Sequence, residues 1–350
     1  MASTNKPLVL VTGCTGYIAQ WVCDELLSRG YRVRGTVRGN DLAGMKERLK
    51  HFVDKGMELV TADLLEETAW PAAVQGCELV CHVASPFPIT DAKLEELLPP
   101  ARDGTLNVLR AAHDANVKKV VLTSSIAAVS SGWSKQAKAS HGVFTEKDWS
   151  IVGECEPYPR SKTEAEKAAW EFVRSLPAES AFKLVTINPG YVQGPFKLKR
   201  NAQDASSSTM VRRILMGEMP AVPNIELNVV DVRDVASAHV SALAADGAEG
   251  RYIMAPHSEM LPAIARSLAK DYKPKGYNVK TLTAPYAVLW LYSFIDKTAA
   301  AIIGRVGERS KYDSSRAEVE LGVKYRSLEE TLAATAESLI EHGLVPPPKA

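Results

Sequence analysis

The stretch YPRSK puts a phenol, Tyr158, and an ammonium, Lys162, four residues apart. On a helix that spacing sets both side chains on one face. A phenol titrates near about 10 and is a poor proton donor or acceptor at neutral pH. A neighbouring ammonium favours the phenolate and lowers that value, so the pair is expected to do acid–base work. Upstream, LTSSIAAV ends an apolar run in Ser124 and Ser125, and the Ser125 hydroxyl could hold a carbonyl oxygen. Near the N-terminus, VTGCTGYIA spaces Gly13, Gly16 and Ala19 three apart. Gly13 allows a tight turn, Gly16 lets backbone N–H groups reach a pyrophosphate at a helix N-terminus, and Ala19 keeps helix and strand close. Each feature alone has a plainer reading: a bare glycine turn, a surface Tyr–Lys pair, a serine turn. Their order along one chain argues against coincidence.

The elements that must hold them alternate. The short apolar run at 8–11 and the stretch 120–123 read as buried strands, and 32–37, 58–61, 79–82 and 184–188 as further strands. Helical spacing runs over 18–27, ending near Gly30, and over 106–115 and 158–173. Strands alternating with helices imply right-handed crossovers and a parallel sheet covered on both faces. The expected fold is α/β, a Rossmann-type doubly wound parallel sheet with a smaller, discontinuous C-terminal substrate region. Residues 1–190 are expected to form the dinucleotide-binding domain, with a returning segment near 227–245. Residues 191–226 and 246–350 are left for the substrate. Within them, 197–208 reads as an irregular exposed loop, and the apolar stretch 284–295 as a core or pocket-lining helix.

The glycine loop lies between a strand and a helix, so Thr12, Gly13, Thr15, Gly16, Tyr17 and Ile18 are expected to bind the cofactor. Its kind is read from the end of the second strand, RVRGTVRGN. An NAD site needs an acid there for the ribose 2′-hydroxyl. None stands before Asp41; Arg38 does, with Arg34 nearby. A guanidinium binds a 2′-phosphate that an acid would repel, so NADP(H) is expected. Lys46 is a further candidate for the phosphate, and a solvated loop arginine is the alternative for Arg38.

Composition removes other classes. Net charge is +1 with no long basic run, so no nucleic-acid partner is expected. No apolar stretch is long enough to span a bilayer, and no signal peptide is visible, so a cytoplasmic protein without a membrane partner is expected. The five cysteines are odd in number and read as reduced thiols; Cys77 and Cys81 lack a second Cys/His pair, so no metal site is expected.

Taken together, VTGCTGYIA, GYRVRGTVR, HVASP, GTLNVLRAA, VVLTSS, YPRSKTEAEKAAWEF, INPGYVQGP and DVRDVASAH resemble the extended short-chain dehydrogenase/reductase superfamily. Within it the chain is most similar to the dihydroflavonol 4-reductase-like group, which includes NADPH-dependent aldehyde reductases. The resemblance implies catalysis by Ser125, Tyr158 and Lys162, with Asn107 supporting a proton-relay water. It implies that Asp63 and Leu64 flank the adenine, and that Val83, Ala84 and Ser85 run under the ribose and pyrophosphate. Pro189 and Gly190 match the turn beside the nicotinamide; Val192 and Ser124 are also assigned to the cofactor. The implied activity is reduction of a small-molecule aldehyde or ketone by a monomer or homodimer. A hydroxysteroid dehydrogenase, a nucleotide-sugar epimerase or dehydratase, and a non-enzymatic redox-sensing regulator are the alternatives. Ser130 stands where plant flavonoid reductases carry Asn or Asp, a departure that argues against dihydroflavonols. Trp133 and Trp149, within 131–157, are expected in one pocket wall.

Overall fold

The computed structural model describes residues 6–85, 92–204 and 206–348; Pro86 of the HVASP stretch lies outside them. The strands in chain order are β1 (Leu8–Val11), β2 (Arg32–Val37), β3 (Glu58–Thr61), β4 (Leu79–His82), β5 (Lys119–Thr123), β6 (Val143–Phe144), β7 (Lys183–Pro189), β8 (Tyr191–Gln193), β9 (Glu226–Asp231), β10 (Gly250–Met254), β11 (His257–Met260) and β12 (Lys311–Tyr312). Seven form one sheet in the order β3-β2-β1-β4-β5-β7-β10, and every pairing in it is parallel. Strand order reverses between β1 and β4, which opens a crevice at their C-terminal ends.

The sheet buries both faces, which is why its strands read as continuous apolar runs. Val9 and Val11 of β1, Val121 of β5, and Val185 and Ile187 of β7 face a core under the helices Tyr17–Ser28 and Val232–Ala244. Leu8, Leu10, Val120, Leu122 and Leu184 alternate onto the other face, under Gly104–Asp114 and Ala169 of the helix Pro157–Ser175. A separate core gathers Phe196, Ile214, Leu215, Ile264 and Leu339, which belong to the second region of the chain.

That second region differs from expectation in three places. The chain returns to the main sheet with Val232–Ala244 and β10, so the returning stretch reaches Met254, while β9 joins β8 and β11 in a small sheet. The supposed loop at 197–208 contains a helix, Lys199–Asp204, and the start of another, Ser206–Leu215. Asn201 there is buried against Gln20 of the first region and Ala202 against the second region's core, tertiary contacts that override the polar composition. The apolar 284–295 stretch forms only a short helix, Tyr286–Tyr292, outside the core and the cleft. Val288, Leu291, Phe294 and Ile295 stay exposed, because this helix packs chiefly on the one that follows it. No helix among the described residues is long and apolar enough to cross a membrane.

All five cysteines are free; Cys14, Cys23, Cys77 and Cys81 are buried and Cys155 is half-buried. Burial pushes the Cys14 thiol up to about 12 and Cys77 to about 11. A colorimetric thiol reagent should therefore titrate Cys155 first and the other four only on unfolding. Fast reaction of two or more thiols in native protein would contradict this packing.

Candidate active site

A cleft of about 2270 Å³ crosses the C-terminal ends of β1, β2, β4, β5 and β7. It is larger than a typical small-ligand pocket, so a dinucleotide and a second molecule fit together. Gly13 follows β1 at φ +65°, the left-handed region, and a Cβ there would lie 2.9 Å from the Ala84 Cβ. Only glycine lets the β1 and β4 loops approach this closely. Gly13 N–H donates to the Thr36 hydroxyl at 2.9 Å. The helix Tyr17–Ser28 begins after Gly16 with no side chain capping its first turn, which leaves a helix N-terminus aimed at the cleft. Thr15, Gly16, Tyr17 and Ile18 line the cleft beside it.

Thr12 works from behind. It is buried, and its Oγ1 accepts from Val83 N–H at 3.0 Å and Ala84 N–H at 2.9 Å. Its own hydrogen is left for His82 Nδ1 at 2.8 Å, so His82 Nε2 carries the proton toward Thr105. Burial, with the nearby Lys162 charge, pushes His82 down to about 3 and keeps it neutral. This hydroxyl fixes the Val83–Ala84–Ser85 floor.

At the other end, Asp63, Leu64 and Leu65 line the cleft, and Asp63 Oδ1 also accepts from Leu65 N–H at 2.9 Å. Arg38 lines it just past β2, exposed, and no side chain among the described residues pairs with it. Arg34 turns away: it is held by Glu58 and by the Ala73 and Gln75 carbonyls. Lys46 does not reach the cleft; on the short helix Leu42–Arg48 its exposed side chain points outward, and Arg48, two residues on, faces in.

The chemical end is made by β5, β7 and the helix Pro157–Ser175. Ser125 follows β5, its Oγ accepting from Ala127 N–H at 3.1 Å, and its hydroxyl also bonds the Tyr158 oxygen. Lys162 Nζ lies 5.9 Å from the centre of the Tyr158 ring and donates to Ser85 Oγ at 2.7 Å. The expected lowering of the phenol is reversed. Burial pushes Tyr158 up to about 12 against the Ser125 hydrogen bond, while burial lowers Lys162 to about 8 against the Glu166 charge. Desolvation outweighs the Ser125 hydrogen bond, and the phenol keeps its proton.

Pro189, Gly190 and Val192 line the adjoining wall. A Cβ on Gly190 would lie 2.1 Å from the Asn228 carbonyl oxygen, so only glycine lets the two sheets meet there. Asn107 is not with Ser125, Tyr158 and Lys162. Its Nδ2 donates to Leu64 O at 3.0 Å and its Oδ1 accepts from Arg110, which makes it a brace for the 62–65 loop. Trp133 lines the cleft, but Trp149 lies outside it, 3.9 Å under the Arg251 guanidinium. Asp234 binds Arg326, and Asp231 is the residue that caps the helix after β9. Asn201 was not visible in the sequence as a site residue, yet its Nδ2 holds the Thr15 carbonyl at 2.7 Å.

Comparison with known proteins agrees with this architecture. The family model described as "NAD dependent epimerase/dehydratase family" matches residues 9–255. Cinnamoyl-CoA reductase CAD2 of Medicago truncatula is 35% identical, over 97% of this chain and 98% of its own. Gre2 of Candida albicans, solved in complex with NADPH, superposes with a TM-score of 0.78 at 31% identity, covering 96% of this chain and 99% of its own. Yeast methylglyoxal/isovaleraldehyde reductase Gre2 complexed with NADPH gives 0.79 at 28% identity with the same coverage. With the glycine cradle, the Tyr–Lys helix and the sheet order all in place, the chain belongs to the NAD dependent epimerase/dehydratase family, among the extended short-chain dehydrogenases/reductases of the dihydroflavonol 4-reductase-like group.

Proposed function

We propose that the protein is an NADPH-dependent carbonyl reductase that converts an apolar or aromatic aldehyde or ketone to the alcohol. The observation that carries this reading is the meeting of Ser125, Tyr158 and Lys162 in one cleft with a cradle that requires glycine at position 13. Gly13, Thr15, Gly16 and the first turn after it would hold the pyrophosphate. Asp63 and Leu64 would flank the adenine, Arg38 and Arg48 the 2′-phosphate. NADPH supplies the hydride when bound.

The chain's own residues supply the rest. Ser125 and Tyr158 hydroxyls donate to the substrate oxygen and polarise the carbonyl. As negative charge grows on that oxygen, Tyr158 Oη gives up its proton. Burial keeps the proton on Tyr158 until the carbonyl oxygen becomes basic enough to take it. Lys162, charged and tied to Ser85, balances the phenolate left behind and is placed to hold ribose hydroxyls. Trp133, Met210, Leu227, Ile302 and Ile303 give the substrate end an apolar lining. The basic end of β2 is what an epimerase retaining NAD would not carry.

A panel of aliphatic and aromatic aldehydes and ketones, followed by NADPH oxidation with NADH in parallel, tests the reading. Turnover of an apolar carbonyl with NADPH is expected; no NADPH oxidation with any member would overturn it. The cradle has its own test. Gly13→Ala forces alanine into a left-handed conformation, at about 1–3 kcal/mol, and pushes on Ala84. Its melting temperature and its NADPH affinity by fluorescence titration should both fall; unchanged NADPH affinity would contradict the cradle.

A further inference from the structure

Beneath the catalytic serine, outside the cleft, lies the carboxylate of Glu166, one helical turn after Lys162 and 1% exposed. It gathers donors from the residue after β5, from β7 and from the start of β10: the Ser124 hydroxyl at 2.5 Å, Thr186 at 3.1 Å, Asn188 Nδ2 at 2.8 Å and Arg251 Nε at 2.7 Å. Asn188 Nδ2 also donates to the Ser125 carbonyl at 3.2 Å, which ties the same centre to the catalytic residue. Arg251, itself 6% exposed, is held by the backbone carbonyls of Glu146 and Asp148 and by the Trp149 face. A buried ion pair is weak evidence of a stability role, because apolar residues of like volume fold as well. This pair instead links the end of β5, the middle of β7 and the start of β10, behind the reacting groups.

We propose that Glu166 is a positioning residue: held by Arg251, it fixes the Ser124–Ser125 turn directly and through Asn188, and presents its negative charge to Lys162. The proposal rests on the reductase reading above. Lys162 faces Ser85 and the neutral His82 from β4 and its loop, and Tyr158 and Glu166 from its own helix. Burial lowers Lys162 to about 8 and Glu166 opposes that fall. The charged lysine is therefore lost as pH rises through its folded value. Without the carboxylate that loss comes at lower pH.

The test uses the full chain as wild type, Glu166→Gln, and Glu166→Gln/Arg251→Met; the double variant leaves no unpaired buried arginine and keeps the test open should the single variant not fold. The pH midpoint of Lys162 acetylation by acetic anhydride, read by mass spectrometry without cofactor, reports its charge directly. Loss of Glu166 should lower that midpoint by about one pH unit, with a smaller shift in the same direction in the double variant. The alkaline limb of kcat should move with it, and kcat at neutral pH should fall at least about tenfold while KM for NADPH changes less. A folded variant with an unmoved Lys162 midpoint and a wild-type kcat profile would overturn the proposal. A wild type that reduces no carbonyl defeats the reductase reading, and the acetylation midpoint still decides the coupling between Glu166 and Lys162.

Discussion

Tyr158→Phe should lower kcat for carbonyl reduction by at least about 10²-fold, the usual lower bound for losing a general acid. The substitution removes one hydroxyl and keeps the ring, so the helix Pro157–Ser175 and the cleft wall stay in place. What disappears is the proton donor and one of the two hydroxyls that polarise the carbonyl. NADPH affinity by fluorescence titration should be nearly unchanged, and so should the melting temperature. Lys162→Ala should also lose rate, with weaker NADPH binding, because its ammonium reaches Ser85 on the cofactor floor as well. Ser125→Ala should lose rate with affinity preserved. The three losses should be far from additive, since the groups act on one oxygen. Turnover by Tyr158→Phe within about threefold of wild type, with chemistry limiting, would remove the phenol from the mechanism.

The parts of this site that could be read from sequence share a cause. A buried parallel strand leaves a short apolar run, and a phosphate cradle needs glycine where backbones touch, so β1, Gly13 and the following helix were legible together. Tyr158 and Lys162 were legible because one helix carries both at a fixed spacing. The misses depend on contacts between distant segments. Asn201 sits in a polar stretch that looks like loop, and its bonds to the Thr15 carbonyl and to Gln20 appear only in the fold, where the second region braces the cradle. Lys46 and Arg48 are both basic, and the helix's rotation, which composition does not encode, decides which one faces in. The phenol's upward shift is hidden for a similar reason: the Lys162 charge is visible in the sequence, while the burial that raises Tyr158 is not. Glu166, four residues after a lysine, reads as an ordinary solvated pair until β5, β7 and β10 close over it.

Arg38→Asp should turn cofactor preference from NADPH toward NADH. Wild type should favour NADPH by kcat/KM, because a guanidinium stands past β2 where an NAD site places an acid. Arg38 has no competing partner among the described residues, so a 2′-phosphate would not have to break an ion pair to reach it. A hydrogen bond to a charged group contributes about 1.5–3 kcal/mol. Its loss should lower kcat/KM for NADPH by roughly 10- to 100-fold. The aspartate adds repulsion toward the phosphate and an acceptor for a ribose 2′-hydroxyl, so kcat/KM for NADH should hold or rise. Arg48 faces the same end of the cleft, and its charge should leave Arg38→Asp with measurable NADPH use. Arg38→Asp/Arg48→Ala should lose more of it, whereas Lys46→Ala, outside the cleft, should change neither cofactor. Equal use of NADH and NADPH by wild type would remove Arg38 from cofactor selection. A Lys46→Ala loss matching that of Arg38→Asp would place the phosphate on the outer face of the Leu42–Arg48 helix instead.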